Sequence, residues 1–297
     1  MEVEVVQVDA FAAEPFKGNP AAVCFLPTSS GEHQRGWPSD QWLQHLAAEM
    51  NLSETAFLLP SSEGEAHYEL RWLTPTVEVE LCGHATLAAA HALFESKRVA
   101  PHLPIVFHTR KAGLLTVHKH QEWLQMDFPA EPPVAVPPAE VPAGLLPSLG
   151  LTEDQVVAVG RNRWDLFVEV RAAAQVVSLS PDLARLAAVT SRCAVVTARA
   201  EGPSPDSDSG VDFVSRVFAP AAGVNEDPVT GSAHCGLAPY WRQRLQKSSL
   251  RAFQASKRGG QLRLEVTDEG RVLISGQAVT VFHAHLRRPP NYDDASQ

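Results

Sequence analysis

The sequence predicts a mixed α/β protein built as two similar, strand-rich halves, and three observations predict it. Seven prolines fall within Pro129–Pro147. Proline fixes φ and removes a backbone donor, so this stretch reads as an extended connector, neither helix nor inner strand. Short apolar runs of strand type outnumber amphipathic helical ones on both sides of it, which argues against a doubly wound sheet with surface crossover helices. The halves also echo each other. Arg71-Trp-Leu-Thr-Pro75 leading to Gly83-His84-Ala85 recurs as Arg216-Val-Phe-Ala-Pro220 leading to Gly231-Ser232-Ala233. The offset is 145 residues at the arginines (71 to 216) and 148 at the glycines (83 to 231). Each segment reads as strand, turn, then a glycine opening a helix, the pattern of a duplication. A duplicated pair related by a pseudo-twofold would aim two helix N-termini, with Glu54, His84, Asp227 and Ser232, at one shared cleft.

Taken in order, Val3–Val8 alternates as a strand, Gly18-Asn19-Pro20 is a turn and Ala21–Leu26 is a second strand. Asp40–Met50 is helical, with Trp42, Leu43, Leu46, Ala47 and Met50 on one face and Ser39 as its cap. Thr55–Leu59 and Tyr68–Leu73 are strands. His84–Phe94 is rich in Ala and Leu on every side, so it is expected to be a helix buried all round. Beyond the connector, Leu166–Val170, Ala194–Thr197, Val211–Phe218, Leu262–Val266, Val272–Ile274 and Ala278–Phe282 read as strands. Gly202–Gly210 reads as a polar hairpin tip. Gly236 and Pro239 are expected to interrupt the helix opened by Gly231, and Pro239 to kink it.

With 297 residues, the chain is long enough for two domains of ~150 residues. Its net charge is −9, and no run of Lys or Arg exceeds a pair, which leaves no electrostatic footprint for nucleic acid. The start carries Glu2 and Glu4 where a signal peptide would carry basic residues, and no apolar stretch approaches the ~18 residues of a membrane span. Four cysteines lie far apart with no CxxC pair, so neither a disulfide framework nor a zinc knuckle is suggested. A cytoplasmic enzyme is the expectation. The dinucleotide, P-loop and serine-hydrolase motifs are absent.

The residues that could carry chemistry stand at the two helix openings and one strand start. Free N–H groups and the positive dipole end at Gly83 and Gly231 suit an anion such as a carboxylate. His84 is a poor capping choice for a wholly apolar helix, and the dipole would bias it toward its neutral form. Asp227, Thr230 and Ser232 accompany the second opening; ordinary capping explains Thr230 and Ser232 equally well. Glu54 precedes an apolar strand run. Its residues alone favour an exposed glutamate, whereas a buried one would be a general acid/base with a pKa raised by its surroundings. His118 with His120, and His283 with His285, share strand faces without a third ligand, so they read as solvated edge histidines.

Five segments then appear in a familiar order: VDAF…FKGNPAAV (Val8–Val23), EMNLSETAFL (Glu49–Leu58), RWLTPTVEVELCGHATLAAAH (Arg71–His91), RVFAPAAGVNEDPVTGSAH (Arg216–His234) and QASKRGG (Gln254–Gly260). Together they resemble the PhzF-like, phenazine biosynthesis-like isomerase family over essentially the whole chain, and the resemblance reads as nearest to its eukaryotic members, the phenazine biosynthesis-like domain-containing proteins. The resemblance implies a diaminopimelate-epimerase-like α/β (α+β) fold, with two similar domains that each curl a sheet around a central helix. These would span residues 1–128 and 148–277, divided by the connector 129–147, with the last strand (278–297) returning to the first domain.

The resemblance also implies a role for Glu54 as the acid/base that moves a proton, assisted by His84 and Asp227. Asn19, Gly83, Thr230, Gly231 and Ser232 would bind substrate, with no metal and no cofactor. The expected partner is a small anionic, carboxylated metabolite. A homodimer is the assembly considered, with neither nucleic acid nor membrane as partner. Two other readings stay open. Cys82 resembles one of the paired cysteines of amino-acid racemases and epimerases of this fold, although the second half offers Pro228 near the corresponding turn. A catalytically silent interaction protein could also keep the fold.

Overall fold

Each half of the chain folds as its own unit. One comprises residues through Asp127 together with those from Gly276 onward, the other Phe128–Ser275. The computed structural model describes residues 3–27, 36–200 and 210–287. The hairpin tip expected at Gly202–Gly210 therefore lies outside the described residues except for its last glycine, as do Glu2 and residues 288–297 of the final segment.

In the first unit, β1 (Val3–Ala10) and β2 (Asn19–Phe25) pair antiparallel, and β3 (Glu54–Pro60) lies parallel to β2. Next come β4 (His67–Leu73), antiparallel to β3, and the short β5 (Glu78–Val79), antiparallel to β4. Along its other stretch β4 takes β6 (Ile105–Thr109) in parallel, and β7 (Leu114–His120) and β8 (Trp123–Pro129) follow antiparallel. Gly18 before β2 has φ +62°, and a Cβ there would stand 2.1 Å from the Ala10 carbonyl oxygen, so the β1–β2 connection requires glycine.

Two helices complete this unit. α1 (Asp40–Met50) is capped by Ser39, whose Oγ accepts the Trp42 N–H at 3.2 Å, and it buries Leu43, Leu46 and Ala47 against Ala22, Phe57, Leu59 and Leu73. α2 (Gly83–Glu95) has ten of its thirteen residues buried. Its alanines are small enough for β1, β2 and β3 to close around it, which explains a helix with no polar face.

The second unit repeats the plan. The edge strand β9 (Val134–Ala135) precedes β10 (Val156–Arg161) and β11 (Asp165–Val170), which pair antiparallel. Of three short helices, α3 (Leu145–Leu149), α4 (Ala173–Val177) and α5 (Leu183–Ala187), α4 packs on β12 (Cys193–Arg199), which is parallel to β11, and α3 packs on α5. β13 (Phe213–Ala219) is antiparallel to β12 and takes β14 (Val224–Asp227) antiparallel and β15 (Ser249–Gln254) parallel. α6 (Gly231–Leu245) lies between β14 and β15 in sequence, and β16 (Gly260–Val266) and β17 (Arg271–Gly276) close the series. The last strand, β18 (Ala278–Leu286), runs antiparallel to β1 in the first unit.

Strand for strand, β10–β17 repeat the order and directions of β1–β8, and α6 stands where α2 does. The echo has a physical basis in two matched ion pairs. Arg71 on β4 donates Nε and Nη2 to the Glu78 carboxylate at 2.8 and 2.6 Å, and Arg216 on β13 does the same to Glu226 at 2.7 and 2.9 Å. Each pins the short strand that leads into the central helix.

Two expectations need correction. The proline-rich stretch is not merely extended: Val134 and Ala135 pair with β10, and α3 puts Leu145 and Leu149 into the apolar core of the second unit. Nor does α6 stop at Gly236 or Pro239; it runs fifteen residues through both. Pro239 cannot donate to the Cys235 carbonyl, and the Glu131 N–H donates to that oxygen at 3.0 Å instead. A Cβ on Gly236 would meet Phe167 Cζ at 2.7 Å and the Glu131 carbonyl oxygen at 3.1 Å. Both residues fit the helix to the segment lying on it. Among the described residues, no helix is long and apolar enough to cross a membrane.

Candidate active site

In the first unit, strand pairing brings Glu54 to the opening of α2. Glu54 is the first residue of β3 and pairs with Ala21 of β2, while Gly83 and His84 open the helix. Glu54 Oε2 stands 3.1 Å from His84 Nε2, with the two side chains 18% and 8% exposed. The contact is close but not well directed, and neither atom has an aligned hydrogen-bond partner among the described residues. The opposite ring nitrogen, His84 Nδ1, lies 3.5 Å from Cys82 Sγ. Cys82 is the N-cap residue but caps nothing, so the first turn keeps its N–H groups and positive end. Asn19, fully buried where β2 begins, accepts from Ser53 Oγ at 3.5 Å.

The electrostatics reverse two expectations. Burial, the largest single influence, pushes the Glu54 carboxyl up. The charge of the adjoining His84, with the Cys82 thiol close by, outweighs it and holds Glu54 below the ordinary carboxyl value. For His84, burial works against the charged form; the Glu54 carboxylate works for it, as does Cys82 to the extent that its sulfur carries charge, and these outweigh burial. Both directions favour the ionised form of each partner, a carboxylate facing an imidazolium. Burial, then the neighbouring Glu54 charge, raises the Cys82 thiol, which keeps it protonated.

In the second unit, a different set gathers at the opening of α6. Thr230 is the N-cap residue, but its hydroxyl makes no capping bond; it donates to Asp227 Oδ2 at 2.5 Å. The capping explanation thus fails for Thr230. Gln254, fully buried, holds this turn: its Oε1 accepts the Thr230 N–H at 2.9 Å and its Nε2 donates to the Asp227 carbonyl at 2.7 Å. Ser256 Oγ donates to the Pro228 carbonyl at 2.8 Å. Gln254 and Ser256 belong to the QASKRGG motif, which marked the position without revealing its bracing role.

Ser232 is exposed beyond Gly231, and Arg192 Nη1 reaches its Oγ at 3.4 Å. Arg192 is oriented by the buried Asp165, to which Nε and Nη2 donate at 2.8 and 2.5 Å. Nothing in the sequence around Arg192 singles it out; only the parallel pairing of β11 with β12 brings Asp165 beside it. The paired histidines gather no third ligand among the described residues. His118 and His120 stack with centroids 6.2 Å apart, and His283 Nδ1 lies 3.1 Å from Glu4 Oε1.

The Glu54–His84 pair stands at one uncapped helix opening, on a strand order that the chain repeats, and the same mixed α/β fold recurs in known proteins, isomerases among them. A model of the phenazine biosynthesis-like protein family matches residues 8–284. An uncharacterized isomerase of Halalkalibacterium halodurans is 47% identical over 96% of this chain and 99% of its own length. The mouse phenazine biosynthesis-like domain-containing protein 2 is 37% identical over 96% of this chain and 99% of its own. A PhzF-family protein of Enterococcus faecalis superposes with a TM-score of 0.84 at 39% identity, covering 97% of this chain and 100% of that one. A probable proline racemase of Agrobacterium radiobacter, 12% identical with a TM-score of 0.58, shares the fold alone. The chain belongs to the PhzF-like, phenazine biosynthesis-like family.

Proposed function

We propose that this isomerase moves a proton on a small carboxylated metabolite without a cofactor, with Glu54 as the acid/base. The observation that carries the proposal is the Glu54–His84 contact at 3.1 Å, in which both facing atoms lack an aligned partner. A resting carboxylate can accept a proton from carbon, and the imidazolium beside it can stabilise the developing anion or return a proton to the product. The substrate's composition is unchanged, as isomerisation requires. In the first unit the free N–H groups at Gly83, with the buried Asn19, suit the substrate's anionic group. In the second, those at Gly231, with Thr230 and Ser232, suit an anion likewise, and Asp227 is read as a further proton carrier.

The Cys82-dependent racemase is the weaker reading, because a thiol held protonated by burial and by the Glu54 charge makes a poor base. The test is solvent exchange. A panel of small unsaturated and α-substituted carboxylates is incubated with the enzyme in D2O, and isomerised product is read by mass. Deuterium-labelled product from the wild type but not from Glu54→Gln supports the proposal. Equal product from both removes Glu54 from the mechanism.

A further inference from the structure

Away from Glu54, three donors of the first unit converge on one point. Glu63 lies in the turn between β3 and β4, His67 opens β4, and His108 stands on β6. His67 Nδ1 and His108 Nε2 are 3.0 Å apart, and Glu63 Oε2 lies 3.8 Å from the first and 3.5 Å from the second. Ligand atoms about 2.0–2.1 Å from a tetrahedral ion stand roughly 3.3 Å from one another. The three edges of this triangle bracket that spacing. A shared proton between the two rings accounts for the shortest edge only; it leaves the carboxylate facing both nitrogens without a hydrogen bond to either.

The backbone holds the donors in place. β4 and β6 run parallel with His67 opposite Val106 and Glu69 opposite His108, which sets the two histidines diagonally on neighbouring strands. The turn carrying Glu63 is closed by the His67 N–H donating to the Gly64 carbonyl at 3.1 Å and the Ser61 N–H donating to the His67 carbonyl at 3.0 Å. Glu63, His67 and His108 are 60%, 32% and 22% exposed, so an ion can enter and water can complete its shell. The Glu54–Cys82–His84 trio also brings one donor atom from each residue within 4.8 Å of the others, but it belongs to the site already described, and there the carboxylate and the sulfur lie against opposite nitrogens of one ring.

We propose that Glu63, His67 and His108 form a site for a divalent transition-metal ion of the zinc type, with one position left to water. Two imidazoles and a carboxylate suit Zn²⁺, Co²⁺ or Ni²⁺ and not Mg²⁺, which takes oxygen ligands. A bound ion would tie the β3–β4 turn to β6.

The test is calorimetric titration of zinc chloride, and separately of magnesium chloride, into EDTA-stripped full-length protein. One equivalent of zinc and no magnesium is expected, with affinity at least about tenfold weaker in His67→Ala and in His108→Ala, as for loss of a direct ligand. Bound cobalt(II) should give a visible absorption that EDTA removes and His108→Ala lacks. His108→Asn, with its thermal midpoint read without metal, guards against a misfolded alanine variant and should bind equally weakly. Absence of zinc binding, magnesium binding as tightly as zinc, or zinc binding that survives His108→Ala and is lost in Cys82→Ser would overturn the proposal.

Discussion

The two units share a strand order and diverge at the same structural position. In the first, the strand that lies parallel to its neighbour begins with Glu54, opposite Ala21; in the second, the equivalent strand begins with Cys193, opposite Asp165. The histidines of the two helix openings diverge as well. His84 meets a carboxylate and is held protonated. His234 in α6 has only the Thr230 carbonyl at 2.8 Å, and burial pushes it down to about 4, so it is neutral at physiological pH. Both helices leave their first-turn N–H groups without a side-chain cap. The duplication thus kept an uncapped helix end twice and a carboxylate–imidazole contact once. Under the proposed function, the strand-start residue Glu54 is what separates the two units.

The sharpest way to break this comparison is to exchange the carboxylate for its amide. Glu54→Gln is expected to lower turnover by about 10²–10⁴-fold, the worth of a positioned acid/base. Cys193→Ser, at the matching position of the second unit, should leave turnover within a few-fold of wild type. The thermal midpoint of Glu54→Gln should stay near wild type, because His84 can release its proton once the carboxylate is gone. A comparable loss in both variants, measured under saturating substrate, would dissolve the asymmetry.

The same pair sets a pH dependence. The folded value of Glu54 is lowered, so its contribution is present above the ordinary 4.5 and lost as pH falls through the folded value. The folded value of His84 is raised, so its contribution is complete below the ordinary 6.5 and lost as pH rises through the folded value. The pair is fully ionised between those two ordinary values and for some distance beyond each. The kcat/KM profile should therefore show its alkaline limb well above pH 6.5, and His84→Asn should abolish that limb. A limb at the ordinary histidine value would contradict the ion pair.

Next in size is Arg192→Leu in the second unit. It leaves the Asp165 carboxylate buried without its cation, a change that costs about 3 kcal/mol, the low end for a broken buried pair because Arg192 is one-third exposed. Urea unfolding would read the loss. If Arg192 also serves substrate through Ser232, KM should rise further than the stability change alone requires in residual folded protein.

Thr230→Val is smaller and more diagnostic. It removes one hydroxyl from Asp227 while Gln254 still holds the turn. A hydrogen bond to a charged group is worth about 1.5–3 kcal/mol. A raised KM with little change in kcat is expected if the second unit only binds. A kcat loss approaching that of Glu54→Gln would place Asp227 in proton transfer instead.

Much of this was legible in the sequence because local rules agree with the fold. Ser39 caps α1, alternation marks the strands, and a helix apolar on every side is buried on every side. The echo was readable because the arginine and glycine that recur are held by structure: each arginine by an ion pair, each glycine by the helix it opens. What could not be read is what distance in sequence conceals. The directions in which Glu54 and His84 shift follow from a contact between residues thirty apart, which outweighs burial. Pro239 looks like a fault in a helix until the Glu131 N–H is found on the carbonyl it frees. Arg192 and Asp165 become partners only through a parallel strand pairing.

The smallest expected effect separates the two chemistries that remain attached to the first unit. In Cys82→Ser the hydroxyl oxygen keeps an acceptor for the His84 Nδ1–H, now 3.5 Å from the sulfur, and the side chain shrinks slightly in a buried place. If Glu54 is the base, turnover should fall by no more than a few-fold. Iodoacetamide should also act slowly on the wild type, since the thiol is 7% exposed and held protonated. If Cys82 is the base, serine cannot replace it, because a hydroxyl is far less acidic than a thiol. Turnover should then drop by orders of magnitude, and alkylation should track the loss of activity one for one. Since Cys82 and Glu54 both adjoin His84, the pH profile of the serine variant adds a second reading. An unchanged alkaline limb leaves His84 governed by Glu54, whereas a limb that moves down shows the sulfur holding part of that proton.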